Sequence, residues 1–148
     1  MIALIQRVSF ASITVSGEII GRIDIGVLAL IAVQPKDNDE SVERLLRRLL
    51  AYRMFNDAQG RMNLSLSATG GGLLLVPQFT LAADTSQGNR PSFSCAATPA
   101  LAEPLFETLC ARAAQWHPLT AAGRFGADMK VASINDGPVT FWLETAYH

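Results

Sequence analysis

Two rhythms of apolar and polar positions run through this 148-residue chain, one of period two and one near period 3.6. Positions 2–8 and 12–16 read as strands, Ser16-Gly17 supplies a turn, and positions 18–23 lead back from it. The chain therefore opens with antiparallel hairpin chemistry. Gly26-Val-Leu-Ala-Leu-Ile-Ala-Val33 lacks polar alternation, which predicts a strand buried on both faces. After the breaker cluster at 35–39, Val42, Leu45, Leu46, Leu49 and Leu50 recur at the spacing of one helical face. Glu40 with Arg44 and Glu43 with Arg47 are acidic-before-basic pairs four residues apart, so a solvated charged face lies opposite the leucine stripe.

Thr98 as N-cap and Pro99 at the first helical position announce a second helix, whose apolar face continues through Ala102, Leu105, Phe106, Leu109 and Ala113. Pro104 removes one N–H from it, so either the helix bends there or its regular part starts near Glu103. Between the helices, Asn56 to Gly60 form a turn, positions 73–76 a short buried strand, and positions 83–91 a polar loop. Positions 130–134 and 139–145 read as strands flanking the tight segment Asn135-Asp-Gly-Pro138. Strands broken by two helices, without regular βαβ alternation, predict a single α+β domain over 1–148. Its curled, antiparallel-rich sheet is covered by two main helices.

Composition narrows the function. The chain is 49% hydrophobic and 17% charged, within the globular range and far from disorder. Its net charge of −1 argues against binding DNA or other long nucleic acid by bulk electrostatics, but leaves room for one short RNA end. Cys95 and Cys110 form no C-x-x-C pair and are too sparse for a disulfide framework or zinc site, which fits a reducing compartment. The longest uninterrupted apolar run, positions 27–33, is far below the roughly 18 residues of a membrane span. The opening Met1-Ile-Ala-Leu-Ile meets Gln6 and Arg7 too early for a signal peptide. A cytoplasmic protein without membrane association is expected.

Few side chains offer chemistry. His117 and His148 are the two histidines, too few for a Ser-His-Asp triad or a multi-histidine metal centre, and both read as surface residues. No metal and no cofactor are expected. Gly70-Gly-Gly72 precedes a strand rather than a helix, which suits a turn better than a phosphate cradle. Arg44, Arg47 and Arg48 read as a solvated face, with RNA contact the lesser alternative. Arg7 stands in an apolar strand and must hydrogen-bond its donors or reach solvent; snorkelling at a sheet edge would answer that. Cys95 and Cys110 have no histidine nearby in sequence, so packing is favoured for both. Pro77-Gln-Phe-Thr-Leu81 reads as a strand leaving the core.

The segments Pro77-Gln-Phe-Thr-Leu-Ala-Ala83, Arg90-Pro-Ser-Phe93, Gly123-Arg-Phe-Gly-Ala-Asp-Met129 and Asn135-Asp-Gly-Pro-Val-Thr140 occur in this order. They stand in a chain that opens Met1-Ile-Ala-Leu-Ile-Gln-Arg-Val8 and contains Tyr52-Arg-Met-Phe-Asn-Asp57 and Met62-Asn-Leu64. In that combination the chain resembles the D-aminoacyl-tRNA deacylases over practically its whole length. The resemblance implies a barrel-like sheet and an obligate homodimer. It also implies hydrolysis of the ester that joins a D-amino acid to the terminal adenosine of a tRNA, with aminoacyl-tRNA as the partner.

By the same resemblance Gln78, Phe79 and Thr80 form the floor of the adenosine and aminoacyl site. Gly137 and Pro138 form a Gly-cisPro element inserted into the partner subunit's pocket. Phe125 and Met129 line the pocket near the amino-acid side chain, although their spacing also suits core packing, and Arg7 helps hold the Gly-Pro element. Selection by exclusion of L side chains implies some acceptance of glycyl-tRNA, which has nothing to exclude. The chain departs from the family pattern at Pro77, where serine is common. Pro77 has neither hydroxyl nor N–H, so attack falls to water, assisted by the tRNA 2′-hydroxyl, with backbone N–H groups around Gln78 and Phe79 at the oxyanion. A nucleophilic Thr80 is the less favoured alternative, since no base is close in sequence. Two other readings are an inactive RNA-binding dimer module and a paralogous deacylase with relaxed chirality.

Overall fold

The computed structural model describes residues 1–145; His148 lies outside them. The chain runs β1 (Ile2–Val15), β2 (Glu18–Ile23), β3 (Gly26–Ala32), α1 (Asp39–Ala51), β4 (Arg53–Asn56), β5 (Met62–Ser65), α2 (Leu66–Thr69) and β6 (Gly72–Pro77). A 3-10 turn (Phe79–Ala82), α3 (Pro99–Trp116), β7 (Thr120–Ala122) and β8 (Lys130–Glu144) complete it.

The opening hairpin forms as its residues dictate, with Ser16 at φ 50° and Gly17 at φ 81° supplying the two positive values of a tight turn. Its first arm, however, is one strand rather than two. β1 pairs with β3 as far as Val8↔Gly26 and with β2 from Ala11↔Ile23, while β8 follows its other edge from Ile2↔Glu144 to Thr14↔Lys130. The alternation falters at Ser9 and Phe10 because the strand changes partner there. The separate strands expected at 130–134 and 139–145 are likewise one strand, and Asn135 to Pro138 bulge from it instead of turning it back.

β3 is buried almost throughout, as its unbroken apolar run predicts, and pairs in parallel with β6, which pairs in parallel with β7. The sheet order is β2-β1-β3-β6-β7, with β8 also on β1. A Cβ on Gly21 of β2 would stand 3.4 Å from the Ala122 carbonyl oxygen of β7, so the two outer strands return against each other and the sheet curls nearly shut. Three α-helices accompany it, the single-turn α2 being the one without a sequence signal.

α1 buries Val42, Leu45, Leu46, Leu49 and Leu50 on the sheet, each such side chain contributing about 1.5–3 kcal/mol. It starts with a reciprocal cap in which Asn38 Oδ1 accepts from the Ser41 N–H at 3.1 Å and the Asn38 N–H donates to Ser41 Oγ at 3.3 Å. On its outer face Arg44 meets Glu40 at 2.7 Å and Arg47 meets Glu43 at 2.6 Å. α3 begins at Pro99 and carries Pro104 within it, so the helix does not wait for Glu103. Thr98 holds the cap position without a side-chain cap bond. α1 and α3 share one core with Ala3, Ile5, Val27, Ala29, Leu73 and Leu75, while Val8, Ala11, Ile13, Leu28, Leu74 and Val76 fill a second core on the other face. Among the described residues no helix is long and apolar enough to cross a membrane.

Candidate functional site

A cavity of about 640 Å³ opens at the end of β6, between the first turns of α3 and the segment 125–131. Pro77, Gln78 and Phe79 enter it from the sheet, Phe125 and Met129 from the far side, and Ala102 and Phe106 from α3. None of its lining residues carries a titratable side chain. The sequence resemblance assigned Gln78, Phe79, Thr80, Phe125 and Met129 to the site, and all of these but Thr80 line this cavity. It gave no warning of Ile31, Val33 or the stretch from Ala96 to Pro99, which reach the cavity only because β3 and β6 end side by side.

Proline at position 77 shapes this end of the sheet. Along the parallel pair the Leu73 N–H donates to the Leu119 carbonyl and the Gly123 N–H to the Leu75 carbonyl, both at 2.8 Å. The next rung would take an N–H from residue 77, and proline has none. β7 ends at Ala122 and the chain from Gly123 to Met129 leaves the sheet to wall the cavity. A Cβ on Gly123 would lie 2.8 Å from Met129 Sδ and 3.3 Å from Pro77 Cδ, so a side chain there would have to displace Met129. Phe125 lines the cavity and also packs on Phe106, their ring centroids 6.4 Å apart.

Gln78 is held from both ends. Its N–H donates to the Ile31 carbonyl at 2.6 Å and its Nε2 to Thr80 Oγ1 at 2.5 Å. The Gln78 N–H is thus already engaged, which corrects its expected place at the oxyanion. Among the described residues the Phe79 and Thr80 N–H groups, the first two of the 3-10 turn, have no hydrogen-bond partner. Phe79 is 55% exposed beside the cavity and stacks obliquely with Phe93 at 5.1 Å between centroids.

Gly137 and Pro138 do not line the cavity of their own chain. They stand exposed on the β8 bulge, joined by a cis peptide bond, with Gly137 at φ 144°. Arg7 lies beneath them. Its Nε donates to the Asp136 carbonyl and one terminal nitrogen donates to the Met54 carbonyl, both at 2.9 Å. The edge-snorkelling reading of Arg7 is corrected accordingly: β1 is an interior strand, and the guanidinium is 12% exposed and spent on carbonyls.

His117 and Cys95 sit differently from expectation, whereas the glycines at 70–72 begin with the expected turn. His117 is buried, its Nε2–H donating to the Gly71 carbonyl at 2.5 Å, because the chain folds the end of α3 over the start of β6. Gly70 caps α2 at φ 70°, and Gly26 and Gly72 meet backbone to backbone where a Cβ would overlap the Gly72 carbonyl. Cys95 is exposed rather than packed, whereas Cys110 is half-buried against the core, and burial pushes its thiol up to about 12. Among the described residues no group of three or more His, Cys, Asp or Glu is placed to hold a metal ion.

Residues 4–144 match the family model described as D-Tyr-tRNA(Tyr) deacylase. The chain is similar to a D-aminoacyl-tRNA deacylase of Azotobacter vinelandii, 62% identical over 97% of this chain and 99% of that protein. It is also similar to one of Pseudomonas fluorescens, 59% identical over 98% of this chain and 100% of that protein. Among solved structures, the c-Myc DNA Unwinding Element Binding Protein superposes with a TM-score of 0.94 at 35% identity, covering 99% of this chain and 100% of its own. A probable eukaryotic D-amino acid tRNA deacylase shares the fold, with a TM-score of 0.84 at 16% identity over 96% of this chain and 97% of its own.

Proposed function

The chain belongs to the D-Tyr-tRNA(Tyr) deacylase family and is a hydrolase, a D-aminoacyl-tRNA deacylase, and from that premise we propose how its site binds, selects and cleaves. The terminal adenosine and its D-aminoacyl ester enter the cavity over Gln78, Phe79 and Thr80. The observation that carries the mechanism is a cavity lined without a single acid or base side chain. Proton transfer must then be supplied by the substrate, and the 2′-hydroxyl of the terminal ribose is the group adjacent to the ester. Water attacks the ester carbonyl and the 3′-oxygen leaves. The Phe79 and Thr80 N–H groups, unpartnered among the described residues, suit the developing oxyanion.

Selection is assigned to a second copy of the chain. Gly137 and Pro138 are exposed on the bulge and do not line the cavity of their own chain, as a group serving another subunit would be. β8 pairs with β1 on one edge and exposes Ile134 at 60% and Trp142 at 51%, an apolar surface suited to a homodimer. Inserted into the partner's pocket, the two carbonyls occupy the space an L side chain needs and leave the D position open beside Phe125 and Met129. Glycyl-tRNA, with no side chain to reject, is cleaved as well. The enzyme acts in the cytoplasm, where aminoacyl-tRNA is made, and it requires no metal or cofactor.

Purified protein is tested against D-tyrosyl-, L-tyrosyl- and glycyl-tRNA. Release of D-tyrosine and glycine with L-tyrosine retained is the expected result. Equal cleavage of both tyrosyl esters would refute carbonyl-based selection, and inertness toward glycine would refute selection by exclusion alone. Inertness toward D-tyrosyl-tRNA would restore the binding-module alternative.

A further inference from the structure

We propose that Asn135 is a positioning residue for chiral selection, its carboxamide setting where the Gly137–Pro138 segment stands; the proposal rests on the role given to that segment above. On β8, Asn135 faces Val8 and Thr140 faces Gln6, so five steps along β8 match only two along β1. The intervening backbone leaves the ladder and must be held by other groups.

Asn135 holds it from within. Its Oδ1 accepts from the Val139 N–H at 2.8 Å and its Nδ2 donates to Thr140 Oγ1 at 2.9 Å. Both ends of one planar amide are thus bound to the far foot of the bulge, and the reversed orientation would set a donor against the Val139 N–H. Thr140 Oγ1 also accepts from Gln6 Nε2 at 3.3 Å, tying that foot to β1. Arg7 braces the opposite side through the Asp136 carbonyl and connects it to β4 through the Met54 carbonyl. The carboxamide therefore spans the base of the loop while the guanidinium supports its tip. Without the amide, the feet are free to spread and the two carbonyls lose their fixed distance from the partner's cavity.

The test compares wild type with Asn135→Ala, Asn135→Asp and Thr140→Val on D- and L-tyrosyl-tRNA, with thermal unfolding of each. Asn135→Ala is expected to lower kcat on the D ester by about tenfold to a hundredfold, leave KM nearly unchanged, and raise the L-to-D ratio by a similar factor. Asn135→Asp still accepts from the Val139 N–H and can accept from the Thr140 hydroxyl, so it should restore most of kcat and selectivity. Thr140→Val keeps the Val139 bond and should fall between them. Folded Asn135→Ala with wild-type kcat and selectivity would overturn the proposal, as would an Asn135→Asp no better than alanine. Should Asn135→Ala not fold, the aspartate and Thr140→Val variants decide by the same two readouts. If wild type itself is inactive on D-tyrosyl-tRNA, the functional reading has failed separately. Crystal structures of these variants then judge the positioning claim: a Gly137–Pro138 backbone unmoved from wild type refutes it, and a displaced one supports it.

Discussion

Thr80 follows Gln78 and Phe79 in the chain, and its Oγ1 already accepts a hydrogen bond from Gln78. Losing that bond is worth at most about tenfold in rate, so Thr80→Val should keep at least a tenth of wild-type turnover on D-tyrosyl-tRNA. A loss beyond about a thousandfold in a single-turnover assay would instead mark Thr80 as the reacting group. The cysteines separate by environment. Cys110 keeps its proton up to about 12 when folded and to its ordinary 9.0 when unfolded, so its contribution to stability declines as pH rises above 9.0. At pH 8, alkylation of the native protein followed by mass mapping should label exposed Cys95 and spare Cys110. Residue type foretold the protonated packing of Cys110. It could not foretell that Cys95 is exposed or His117 buried, because exposure depends on which distant segment lies above.

Helix α1 and strand β3 were legible because burial on one side, or on both, writes a period into the sequence that needs no knowledge of the partner. β8 was harder: Asn, Asp, Gly and Pro together mimic a reversal, and only pairing of both halves with β1 makes the segment a bulge. β7 has three residues, too few for any pattern, and exists because β6 offers it an edge. The bulge yields a direct prediction at Gly137. With φ at 144° and a Cβ destined to lie 2.6 Å from Val139 Cγ2, Gly137→Ala should cost about 1–3 kcal/mol in stability. Chemical denaturation measures that cost, and unchanged stability would show that the bulge relaxes freely.

Across the whole molecule, the first and last described segments are fastened together. The Met1 ammonium donates at 2.6 Å to both Asp37 Oδ1 and Thr145 Oγ1, and the Asp37 carboxylate is fully buried. Asp37→Asn would leave the ammonium without its counter-charge, at a cost of about 3–5 kcal/mol and a fall in Tm on the order of 10 °C. A calorimetric Tm within error of wild type would show that water replaces the carboxylate. In the sequence, Asp37 was one residue of a breaker cluster, because its partners lie at the other end of a register that only the closed sheet creates. The amino-acid order alone determined the apolar faces, the opening turn and the segments that carry family likeness, since each depends on neighbours a few positions away. Tertiary structure alone decided that β3 and β6 end together around a cavity free of titratable side chains, and that Gly137 and Pro138 lie outside its lining. Those are consequences of strand pairing across the length of the chain, and no local rule of spacing contains them.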